Sequence, residues 1–266
     1  MAVVRRILRL IELIFAFIGL VLVLGFFAVK WGWTNTNGII DPNFKNQPFN
    51  QSTTTWNKGE EWQVLSTALI KDGAPIYQAS RETGVPARLI VAMIVPEQLR
   101  LFYSERQAFK EILSPLKILG NQTQFSWGVA GLKQETAKQI EENLKATGSP
   151  YYLGIGYEKM LDFKTDNPDQ ERFERIANER DHSYAYLYTA LYLKQVMTQW
   201  EKAGFPIAGK PEILGTLFNI GFDHSEPKAN PQVGGSQIDI GGKTYSFGGL
   251  AYDFYYSPEL IETFPR

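Results

Sequence analysis

From Leu13 to Val29 the chain carries no charged side chain, and Ile7, Leu8, Leu10 and Ile11 extend the apolar run upstream. Such a run constrains a chain more than any motif. A helix rising 1.5 Å per residue needs about 20 residues of this kind to cross a bilayer core. Arg5, Arg6 and Arg9 precede the run and only Lys30 follows closely, so the excess of positive charge places the N-terminus in the cytoplasm. Trp31 and Trp33 fall where an interfacial aromatic belt would lie, and Glu12 falls near the cytoplasmic interface. A cleaved signal peptide would have a shorter apolar core and a small-x-small cleavage site, which Phe27-Ala28-Val29-Lys30 does not supply. The expectation is a single-pass, uncleaved anchor in residues 1–33, holding the rest of the chain outside the cytoplasm.

Residues 34–60 are rich in Asn, Thr, Gln, Gly and Pro without helical periodicity, and read as a flexible linker. Residues 61–266 then suffice for one domain with a full core. Trp62, Leu65, Ala68 and Leu69 recur at helical spacing, Ile76 to Glu82 continues the pattern, and Thr83-Gly84 breaks it ahead of Pro86. The following segment carries Leu89, Ile90, Ala92, Met93 and Ile94, apolar enough for a buried helix. Thr136–Ala146, Ser183–Lys202 and Pro211–Phe218 predict further helices. Tyr184, Tyr188 and Tyr192 at i, i+4, i+8 read as a core stripe rather than a sugar platform. Gln237–Ile240 and Thr244–Phe247 alternate around Gly241-Gly242, which predicts a β-hairpin. The predicted class is α+β, predominantly helical.

A formal net charge of -1 with no block of like charge gives no electrostatic case for nucleic acid. The absence of cysteine excludes disulfides, thiolate catalysis and Cys-ligated zinc. Asp223-His224 with Glu226, and Asp181-His182, lack the spacing of a metal site and read as surface groups. Gly242-Lys243-Thr244 belongs to the hairpin turn, since Gln237 stands where a P-loop needs its first glycine.

Three segments in order carry a resemblance. Gly84-Val85-Pro86-Ala87-Arg88-Leu89-Ile90-Val91-Ala92-Met93-Ile94-Val95-Pro96-Glu97 is a proline-started apolar helix ending on a glutamate. Trp127-Gly128-Val129-Ala130-Gly131-Leu132-Lys133-Gln134 is similar to a Gly-Leu-Met-Gln motif, and Leu217-Phe218-Asn219-Ile220-Gly221 to a Tyr-Asn-Ala-Gly motif. Together they resemble the lytic transglycosylase branch of the lysozyme-like superfamily. The departures are Gln98 where serine is common, Lys133 for methionine, Phe218 for tyrosine and Ile220 for alanine.

The resemblance implies a lysozyme-like domain that cleaves the MurNAc-GlcNAc bond of bacterial peptidoglycan, a setting that makes the expected anchor one in the cytoplasmic (inner) membrane. It implies that Glu97 is the single general acid and base, that the substrate's C6 hydroxyl closes on C1 to leave a 1,6-anhydro end, and that no metal or cofactor takes part. Gly131, Leu132, Gln134, Phe218 and Asn219 become the substrate-binding positions, and Tyr245 is expected to join them from the aromatic, glycine-rich segment 245–252. From the residues themselves, Glu97 has apolar neighbours and follows Pro96, which is expected to end or kink the helix there. Those surroundings would favour a protonated carboxyl. Glu105, Glu111 and Glu212 are the other carboxylates considered as a partner for it. A hydrolytic muramidase and a non-catalytic glycan-binding module are the alternatives.

Overall fold

A computed structural model describes residues 2–30, 39–41, 44, 54–103 and 126–266. The chain divides into two compact units, Met1–Thr36 and Asn37–Arg266. Among the described residues the first holds one helix, α1 (Ala2–Lys30), whose described apolar side chains are largely exposed, Leu13 and Phe15 among them. The expected membrane span is corrected here: among the described residues no helix is long and apolar enough to cross a membrane. By sequence, α1 carries Arg5, Arg6, Arg9 and Glu12 in its first half. Its uncharged run, residues 13–29, amounts to ~26 Å of helix at 1.5 Å per residue, short of a hydrocarbon core of ~30 Å. Without a span, the positive charge of Arg5, Arg6 and Arg9 assigns the second unit to no side of a membrane.

The second unit is mostly helical with α+β character. Among the described residues its helices are α2 (Glu60–Lys71), α3 (Gly73–Thr83), α4 (Ala87–Tyr103), α5 (Gln134–Lys145), α6 (Pro168–Ile176), α7 (Ser183–Lys202), α8 (Pro211–Ile220) and α9 (Phe247–Tyr256). Three two-stranded antiparallel ladders are present among the described residues: β1 (Ile39–Ile40) with β4 (Gly234–Gly235), β2 (Ser126–Trp127) with β3 (Leu132–Lys133), and β5 (Gln237–Ile240) with β6 (Lys243–Ser246). The last is the expected hairpin, turning on Gly241 and Gly242, both at positive φ as a tight two-residue turn requires. Within the stretch read as a linker, β1 pairs with β4, and Trp56 is fully buried against Trp62 and Phe254.

Helices α4 and α7 form the centre. Residues Leu89 to Val95 of α4 are all buried, so this helix is apolar all round and packs against α2, α3, α7, α8 and α9. Three tyrosines of α7, Tyr186, Tyr188 and Tyr192, are core residues, and Tyr184 is partly buried against the same core. Tyr188 and Tyr192 are fully buried, their hydroxyls bonded to Glu141 Oε1 and to the Leu217 carbonyl, each at 2.6 Å. Helices α8 and α9 approach closely because Gly215 and Gly248 face the contact. A methyl at Gly215 would lie 2.7 Å from Ala251 Cβ, and one at Gly248 2.4 Å from the Glu212 carbonyl.

Helix α4 continues through Pro96 to Tyr103, which corrects the expectation that it ends there. A proline inside a helix forfeits one N–H and frees the carbonyl four residues earlier. Burial on both sides of Pro96, at Val95, Glu97 and Leu99, holds the helix together. Glu97 therefore lies well inside α4, away from the helix C-terminus and its partial negative charge.

Candidate active site

Glu97 is 3% exposed and Arg100, one turn later, is 8% exposed. The guanidinium of Arg100 grips both carboxylate oxygens, Nη2 to Oε1 at 2.5 Å and Nε to Oε2 at 3.1 Å. This is a two-point ion pair at i,i+3 in a buried setting, where each charge depends on the other for compensation.

The second motif closes on the same carboxylate. Residues 128–131 form a tight turn between β2 and β3, with Gly131 at φ 59°. A Cβ built on Gly131 would lie 1.8 Å from Glu97 Oε1 and 2.6 Å from its Cγ. Only glycine permits both the left-handed backbone and the approach. The turn is tied back to α4 by Gln98, whose Nε2 donates to the Val129 carbonyl. Gln98 thus has a definite role in the position where the resembled family commonly has serine. Replacing Gly131 by alanine is expected to cost about 2–4 kcal/mol, from the backbone strain and the displaced carboxylate together. Urea denaturation measures it, and a loss below ~1 kcal/mol would contradict the described approach.

The remaining motif residues take several places. Leu132 is buried in β3, and Gln134 is the buried first residue of α5. Phe218 packs edge-on against Tyr192, ring centroids 5.4 Å apart. Asn219 Oδ1 accepts from the backbone N–H of Ser236 at 2.7 Å and from its hydroxyl at 3.1 Å, which fixes the strand β4 exit. Tyr245, on β6, is buried and its hydroxyl accepts from the Thr55 N–H at 3.1 Å, with Lys243 Nζ 4.6 Å above its ring. The structure thus brings Glu97 and Gly131 into contact. Among the described residues, Gln134 and Asn219 make no hydrogen bond to Glu97.

No protein-family model, curated protein or solved structure matches this chain. The resemblance therefore rests on the residues just placed. Among the described residues no group of three or more His, Asp and Glu side chains could hold a metal ion. His182 Nδ1 instead meets Asp72 Oδ2 at 2.6 Å. A cavity of about 120 Å³ lies beside α8, lined by Trp200, Ile213, Leu217, His224, Glu226 and Gly235 among others, without Glu97, Gly131 or Gln134.

Of the partner carboxylates considered, Glu105 and Glu111 lie outside the described residues. Glu212 is buried in the first turn of α8, and burial pushes its carboxyl up against the opposing effect of Lys210. Asp253, on α9, did not stand out in the sequence, yet burial pushes its carboxyl up to about 6 against the opposing charge of Lys243. Its folded value exceeds the ordinary 3.8, so the folded state binds the extra proton between pH ~4 and ~6. Stability accordingly falls as pH rises through that window, and the ionised carboxylate remains a cost above it. Asp253→Asn is expected to stabilise the protein by about 1–3 kcal/mol at pH 8 and by little at pH 4. Chemical denaturation at the two pH values checks this; equal effects at both would contradict it.

Proposed function

We propose that this chain cleaves peptidoglycan glycan strands as a lytic transglycosylase, with Glu97 as general acid and then base. The observation that supports the reading best is the contact between Glu97 and the Gly131 turn. Two sequence-distant motifs of the resembled family meet there, on a buried carboxylate, through a glycine that leaves no room for a side chain.

The chemistry follows from one carboxyl. Glu97 gives its proton to the leaving glycosidic oxygen as the C1–O bond breaks. The substrate's C6 hydroxyl then bonds to C1 and returns its proton to Glu97, so the residue ends as it began. No second carboxylate is required, because the nucleophile is intramolecular. A wall glycan lies outside the cytoplasm, and the reading requires the domain to be there.

Digestion of purified sacculi followed by mass spectrometry of the released fragments tests this. Anhydro ends support the transglycosylase, whereas reducing ends would move the assignment to a hydrolytic muramidase. One observation favours a second reading, a module that binds glycan without cutting it: both Glu97 oxygens are held by Arg100. Binding to sacculi with no released product would favour that module.

A further inference from the structure

Arg100 has no part in the mechanism above, although it holds the reacting group. While its guanidinium occupies both oxygens of Glu97, and the Gly131 backbone lies against Oε1, neither oxygen is free to donate a proton to a leaving group. A planar guanidinium takes any carboxylate in the same two-point geometry. Exchange of Glu97 for a carboxylate carried by the substrate therefore conserves the hydrogen bonds of Arg100. What changes is Glu97, left buried without its cation, and a buried carboxyl in that position takes up a proton rather than remain an uncompensated charge.

We propose that Arg100 is a substrate-carboxylate sensor: an anionic group on the glycan, near the bond to be cleaved, draws the guanidinium from Glu97 and so arms Glu97 as an acid. The inference rests on the glycan-cleaving reading and narrows its substrate to strands bearing a free carboxylate close to the scissile linkage. The arming proton comes from solvent. It passes to the leaving oxygen as the C1–O bond breaks, and Glu97 recovers one from the C6 hydroxyl as that oxygen bonds to C1. When the carboxylate-bearing product departs, Arg100 returns to Glu97 and the solvent proton is released. Arg100 is a positioning residue for Glu97 and a binding residue for the strand.

The test uses the full chain and two glycan probes: strands stripped of peptide, with free lactyl carboxylates, and the same strands with those carboxyls converted to methylamides. Glu97→Gln leaves Arg100 without its carboxylate, so this variant is expected to bind the charged strand about tenfold more tightly than wild type. Its affinity for the neutral strand should be unchanged. In the double variant Glu97→Gln with Arg100→Met no buried charge is left unpaired, and the preference for the charged strand should disappear. Equal affinity of Glu97→Gln and the double variant for the charged strand would overturn the proposal. Wild type is expected to cleave the charged strand at least about tenfold faster at saturation than the neutral one. Cleavage of both at equal rates would overturn the sensor while leaving the transglycosylase intact. The full binding pattern without cleavage by any variant would leave Arg100 as a carboxylate-binding residue and overturn both the arming of Glu97 and the transglycosylase.

Discussion

Replacing Arg88 by alanine is expected to cost about 4–6 kcal/mol of folding stability, the largest loss from any single side chain considered. Arg88 is fully buried on α4, and all five of its N–H groups donate to backbone carbonyls near the C-terminus. Nε donates to Tyr255 at 2.7 Å, Nη1 to Glu259 and Phe264 at 3.0 Å each, and Nη2 to Phe254 at 2.8 Å and Ser257 at 2.7 Å. Several of these carbonyls close the last turn of α9, where a cation also meets the negative end of the helix dipole. The guanidinium lies 4.8 Å from the centre of the Phe254 ring as well. Burial, reinforced by Arg266, lowers Arg88 to about 10, so the cation persists at neutral pH.

Alanine would strand those acceptors, each left unsatisfied at about 1–3 kcal/mol, with water reaching some of them. Lysine offers three donors for five acceptors and should recover only part of the loss. Arg81 is exposed on α3, and its alanine variant should change stability by less than ~0.5 kcal/mol. Urea denaturation of the three variants decides this, and an Arg88→Ala loss no larger than that of Arg81→Ala would contradict it.

The second large effect falls on chemistry. Glu97→Gln keeps an acceptor oxygen for one of the two Arg100 bonds, so the variant is expected to fold, but an amide cannot give or take the catalytic proton. One residue performs both the acid and the base step in this account, so glycan cleavage should fall about 10³–10⁴-fold. Binding to sacculi should survive.

The helices around Glu97 were readable because their apolar residues are periodic and their punctuation is local. Gly84 takes φ 73° at the end of α3, and Pro211 starts α8. The hairpin at 237–246 was readable from its Gly-Gly turn. Helix α6 was not singled out, although Asn167-Pro168 marks its start: the Asn167 side chain accepts from the Gln170 N–H, and proline takes the first helical position. Pro96 misled because a local rule gave way to burial on every side of α4.

The partner of Glu97 could have been found, since arginine three residues on shares its helix face. The role of Arg88 could not. Its acceptors come from carbonyls more than 160 positions later, and no local pattern announces them. The apolar run at the N-terminus misled in a different way: a span over residues 13–29 leans on an apolar flank upstream, but Arg9 and Glu12 interrupt that flank, and among the described residues no helix is long and apolar enough to cross a membrane.

The central claim is that Glu97 breaks glycan. The most direct measurement is the rate of soluble fragment release from purified sacculi by the wild-type chain beside Glu97→Gln, at equal bound protein, with the fragment ends identified by mass. Anhydro-ended fragments are expected from wild type, with release at least ~1,000-fold slower from the variant. Equal release from both proteins would contradict it, and so would no release from either while both remain bound.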